Sequence, residues 1–192
     1  MWKTATVLAA ATLFAGCAAM TELRSDVSTY SQWPQARQPG SYTFERLPSQ
    51  RDNPDQQMIE DAARGALEGA GFTPAADAAK ADAKVQVGVR VSLNQIQPYS
   101  DPFWWHGGMF YGRYGGFYGP RLGMYYPVTT YAREVTVLIR DARTGQSLYE
   151  ARAVSDGVSP LVRELLPALF EAAMTDFPQG GVNPRKVITR VQ

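Results

Sequence analysis

Five apolar residues at every second position, Val85, Val87, Val89, Val91 and Leu93, alternate with Lys84, Gln86, Gly88, Arg90 and Ser92. Period-two alternation of this length marks a strand with one buried face. A second run, Tyr131, Arg133, Val135, Val137 and Ile139, sends Glu134, Thr136 and Arg140 the other way. Asp141-Ala142-Arg143-Thr144-Gly145 then forms a turn, with glycine where left-handed backbone is needed, into a third strand over 147–154. The three runs predict an antiparallel meander.

Weaker alternation flanks it. Val27 and Thr29 share a side over 26–30, and Tyr42 and Phe44 share one over 41–46, after a loop at 35–40. Over 186–191, Val187, Thr189 and Val191 alternate as a last edge strand would. Two helices are expected. The first has Asn53 as cap and Pro54 as its first residue, and Gly69 and Gly71 end it. Ile59, Ala62, Ala63, Ala66, Leu67 and Ala70 form its apolar stripe, with Glu60, Arg64 and Glu68 as a solvated ion-pair ladder. The second opens at Ser159-Pro160, buries Val162, Leu165, Leu166, Leu169, Phe170 and Ala173, and stops at Phe177-Pro178. Pro167 should kink it. This order predicts an α+β two-layer sandwich, a mainly antiparallel sheet with two helices on one face, as a single domain over 25–192.

Between the two long strands, residues 99–126 hold 11 of the 22 aromatic residues and 7 of the 17 glycines. No apolar period runs through them, and a connection this long is unusual in a compact domain unless it is functional or disordered. Phe103, Trp104, Trp105, Tyr111, Tyr114, Tyr118, Tyr125 and Tyr126 are the candidate binding residues. Such rings offer large area with few rotatable bonds, and Tyr and Trp add a polar tip. The segment suits contact with a protein, a lipid surface or the cell wall, or else it is a low-complexity hairpin tip folded over the sheet. Sugar contact is the less favoured of the three, because only Asp101 and Asn94 lie nearby to supply polar groups.

At the other end of the chain, Lys3, an apolar run over 4–16 and Leu13-Phe14-Ala15-Gly16 before Cys17 have the anatomy of a secretory leader. Ending it on cysteine resembles a bacterial lipobox, with Phe14 where leucine is commonest. In that reading 1–16 is a signal peptide, Cys17 carries lipid and 17–24 is a tether. Each buried methylene is worth roughly 0.8 kcal/mol, so two or three acyl chains anchor a protein almost permanently. The competing readings are an uncleaved membrane helix at the short limit for spanning, a leader cut near Ala18-Ala19, and a buried cysteine. Ala18 after the cysteine suits an outer-membrane address, on the periplasmic face.

Composition narrows the functions. There are 19 Lys and Arg against 18 Asp and Glu, and removing Lys3 with the leader balances them. A neutral, exported chain is a poor nucleic-acid binder. One cysteine permits no internal disulfide and one histidine no two-histidine metal site, so neither metal nor cofactor is expected. His106 lies among glycines, a poor mount for a catalytic base. Asp55, Glu60 and Asp61 suit the positive end of a helix. Gly107-Gly108 and Gly115-Gly116 do not lead a strand into a helix, as a phosphate loop would.

Several stretches together carry a family resemblance: Ser25-Asp26-Val27, Ser41-Tyr42-Thr43-Phe44-Glu45-Arg46, and Ala66-Leu67 to Gly71-Phe72. Others are residues 83–91, Arg143-Thr144-Gly145 before Leu148-Tyr149-Glu150, and Asp176-Phe177-Pro178. In these, and in the aromatic insertion, the chain resembles a bacterial envelope lipoprotein family known as domain of unknown function 4136. The resemblance implies a lipobox leader and a sheet with helices. It assigns no reaction and no functional residues. The expectation is therefore a non-enzymatic, membrane-anchored periplasmic lipoprotein that binds an envelope component through its aromatic segment. The alternatives are an enzyme on cell-wall or lipid material, using Asp101 and His106, and a structural accessory of an envelope assembly.

Overall fold

The computed structural model describes residues 22–95 and 129–191. Seven strands form one sheet: β1 (Glu22–Ser31), β2 (Ser41–Phe44), β3 (Thr73–Pro74), β4 (Ala83–Gln95), β5 (Thr129–Asp141), β6 (Ser147–Gly157) and β7 (Arg185–Arg190), in the order β3-β2-β4-β5-β6-β1-β7. The meander β4-β5-β6 is antiparallel as expected, and β1 and β7 extend it antiparallel. The short β2 instead runs parallel to β4 and to β3. The fold is thus a mixed α/β one with a mostly antiparallel sheet.

Among the described residues three α-helices accompany it: α1 (Pro48–Arg51), α2 (Gln56–Gly69) and α3 (Leu166–Met174). Alternation puts Val85, Val87, Val135, Val137, Ile139, Ala151, Ala153 and Val27 into one cluster with Ile59, Ala63 and Leu67 of α2 and Leu166, Leu169, Phe170 and Ala173 of α3. The alanines of α2 and α3 let backbone approach backbone, and the two helices pack on each other. A chain of aromatic contacts closes one side of this core. Trp33 meets Phe72 at 5.7 Å and Phe177 at 4.8 Å, and Phe177 meets Tyr149 at 5.3 Å. The Tyr149 hydroxyl donates to the Ala173 carbonyl at 3.1 Å. Burial, reinforced by Asp176, pushes its pKa up.

Several local expectations need correction. β1 begins at Glu22, and Glu22–Arg24 pair with β7, so three residues expected in the tether are sheet. Helix α2 starts at Gln56 rather than Pro54, with Asp55 in the cap position, while Asn53 accepts from the Asp55 amide at 3.0 Å in the turn before it. Glu60 is buried, not on a solvated ladder: Arg46 grips its two carboxylate oxygens at 2.6 and 2.7 Å. Arg64 pairs with Asp61 instead, at 3.0 Å. The second helix opens as a 3-10 turn at Arg163–Leu165, and α3 begins at Leu166. Pro167 therefore lies in the first turn of α3, where its missing N–H costs nothing, and it kinks no helix.

Candidate functional site

The eight aromatic candidates, Phe103, Trp104, Trp105, Tyr111, Tyr114, Tyr118, Tyr125 and Tyr126, lie outside the described residues, as do Cys17, Asp101 and His106. What the structure does place is the mount for the aromatic segment. β4 and β5 pair without interruption from Ala83 opposite Asp141 to Gln95 opposite Thr129. The segment between them therefore leaves and returns at adjacent points on one end of the sheet.

Burial changes along this pair. On the inner face, Val85 and Ile139 are fully buried and Val87 and Val137 nearly so. Two rungs later Val91 is 40% exposed, and Leu93 is 52% exposed. The helices cover the first part of the strands and not the last. Residues following β6 continue the same trend, with Val158 78% and Leu161 76% exposed. Register aligns these groups. Leu93 lies opposite Tyr131, and Tyr131 opposite Gly157. The pairing of Asp26 with Val154 carries Glu22 to the level of Val158.

The first described residue of β1 and the two roots of the aromatic segment thus share one end of the sheet. Three strand spacings separate β1 from β4, roughly 14 Å at about 4.8 Å each.

Just inside this end lies a polar rung. Arg133 is buried on the inner face, and its Nε donates to the Ser155 carbonyl at 3.4 Å. Burial lowers its pKa, and Asp156 acts in the opposite direction. A Cβ at Gly157 would overlap the guanidinium, so the glycine makes its room. The Ser25 hydroxyl is also buried here, without a hydrogen-bond partner. The sequence expectation of Arg133 on the core side was correct, but nothing in the alternation marked it as a buried cation.

The opposite end is closed by polar bonds. Asp141 accepts from Arg37 at 2.6 Å, from the backbone amides of Arg143 and Thr144 at 3.0 and 2.8 Å, and from the Thr144 hydroxyl at 3.0 Å. The Arg37 guanidinium, with those amides, holds its carboxyl well below the usual range. Gly145 completes the turn at φ +73°.

A cleft of about 540 Å³ is lined by Tyr42, Arg46, Arg51, Glu60 and Arg64, and Arg46 and Glu60 pair with each other there. Among the described residues no group of three or more His, Cys, Asp or Glu side chains could hold a metal ion, and no helix is long and apolar enough to cross a membrane.

Fold and mount together define a mixed α/β sheet protein with an aromatic insertion at one sheet end. Residues 26–179 match the family model described as domain of unknown function DUF4136, and the chain belongs to that family. The chain is similar to several solved structures, among them a DUF4136 family protein from Bacteroides thetaiotaomicron, 16% identical, with a TM-score of 0.39 over 79% of this chain and 96% of the other. A PelC dodecamer subunit from Paraburkholderia phytofirmans is 13% identical, with a TM-score of 0.42 over 79% and 95%. A PDZ domain protein from Parabacteroides distasonis is 14% identical, with a TM-score of 0.48 over 92% of this chain and 41% of the other, so the chain spans about two fifths of that protein. No protein of curated function matches the sequence.

Proposed function

We propose that this protein is a lipid-anchored, non-catalytic envelope lipoprotein that binds an envelope component through its aromatic segment, residues 99–126. In this reading Cys17 carries the lipid, on the periplasmic face of the outer membrane, and the domain is a two-layer sandwich with α2 and α3 on the inner face of the sheet. The observation that supports it best is the shared sheet end. Four residues lie between Cys17 and Glu22, five steps of chain with a reach of roughly 18 Å at most. Tether and aromatic segment therefore act on the same side of the domain.

The test is a full-length variant lacking 100–127, compared with wild type by thermal melting and by crosslinking in intact cells. The expected result is a domain that melts within a few degrees of wild type and has lost its crosslinked partner species. Loss of folding would make the aromatic residues core, and an unchanged crosslinking pattern would remove them from the binding surface.

A further inference from the structure

We infer that the exposed apolar end of the sheet, Val91, Leu93, Val158 and Leu161, is the surface that rests on the lipid bilayer. This deepens the lipoprotein reading and rests on it, because the tether from Cys17 is what brings the sheet end to the membrane. Three observations carry it. First, among the described residues four of the eight large exposed apolar side chains lie here, Val91 and Leu93 near the end of β4 and Val158 and Leu161 just after β6, whose Gly157 the register sets level with Leu93. Apolar groups grouped at one end are a contact surface rather than ordinary scatter. Second, β1 begins at that same end, and the residues from Cys17 to Glu22 are too few to reach round the domain. Third, among the described residues the patch has four large apolar side chains, against the roughly 20–30 residues a side of a standard protein interface. A bilayer needs no such area when a covalent lipid already supplies the affinity and the protein only has to set its own orientation.

The opposite end, with the Asp141 turn, then faces the aqueous compartment.

The test uses the full-length, lipidated chain in phosphatidylcholine vesicles, with a single environment-sensitive fluorophore on an introduced cysteine. Val158→Cys and Leu161→Cys report from the apolar end and Arg143→Cys from the far turn. All three positions are exposed, so labelling leaves the core untouched. Lipids brominated along their acyl chains should quench the labels at 158 and 161 and leave the label at 143 unchanged. A blue shift at 158 and 161 without quenching would mean that protein covers them, and would overturn the inference. Equal emission at all three sites would overturn it too. The mass of the N-terminal peptide separates the two levels: an unmodified Cys17 ends the anchor reading and the inference with it. A lipidated Cys17 with unquenched labels ends the inference alone.

Discussion

The two ends of the β4–β5 pair are built from similar residues and do opposite things. At the Asp141 end, Val85, Val87, Val137 and Ile139 are sealed under helices, and the turn satisfies its carboxylate four times over. At the Gln95 end, valine and leucine in the same alternation stand open to solvent. β1 repeats the contrast. The Thr29 backbone exchanges two 2.7 Å bonds with the Asn183 side chain, and its hydroxyl bonds Asp176, whereas the Ser25 hydroxyl four residues back has no partner. Alternation alone fixes which face a side chain occupies. Whether that face is covered depends on how far the helices reach, and here they stop short.

Substitutions can break this contrast, and the largest effect belongs to the sealed end. Ile139→Ala should destabilise the domain by about 2–5 kcal/mol in chemical denaturation, because it opens a cavity in a fully buried site. Asp141→Asn should have a smaller effect with a distinctive pH signature. A carboxyl whose pKa is lower folded than unfolded stabilises the fold above about pH 3.9 and loses that contribution as pH falls through the folded value. Wild type should therefore lose stability on acidification below about pH 3.9, and the variant should show a shallower slope there. Equal slopes would show that Asp141 does not carry the acid sensitivity.

At the polar rung, Gly157→Ala forces the Arg133 guanidinium aside, at a cost near the low end of about 1–3 kcal/mol. In an Arg133→Ala background that cost should vanish, and a double-mutant cycle measures the difference. The smallest effect is expected at the open end. Leu93→Ser should change stability by no more than about 0.5 kcal/mol in detergent solution. A loss as large as that of Ile139→Ala would erase the contrast between the ends.

The strongly periodic parts of this architecture were legible in the residues. The β4–β5–β6 meander, its turn, its inner face and the final edge strand follow from alternation and one glycine. What escaped was set by tertiary contact. Glu60 sits on a surface-looking i, i+4 row of α2, and the neighbouring loop's Arg46, with Gln56 one turn back, makes its burial tolerable. Two-residue β3 and four-residue α1 are too short to show a period, and the parallel pairing of β2 leaves no mark in β2 itself. Pro167 was read as an interior kink because the apolar run begins before the helix does. Of the site, the sequence shows an aromatic, glycine-rich segment. That its roots share a sheet end with the start of β1 emerges only from strand order and register.

The proposed division between a sealed end and a membrane-facing end is tested most directly by hydrogen–deuterium exchange on the full-length lipidated protein, in vesicles against detergent. The account predicts added protection in vesicles within residues 91–95 and 158–162, and none in the turn over 141–146. Protection at the turn, or no difference at the open end, would contradict it.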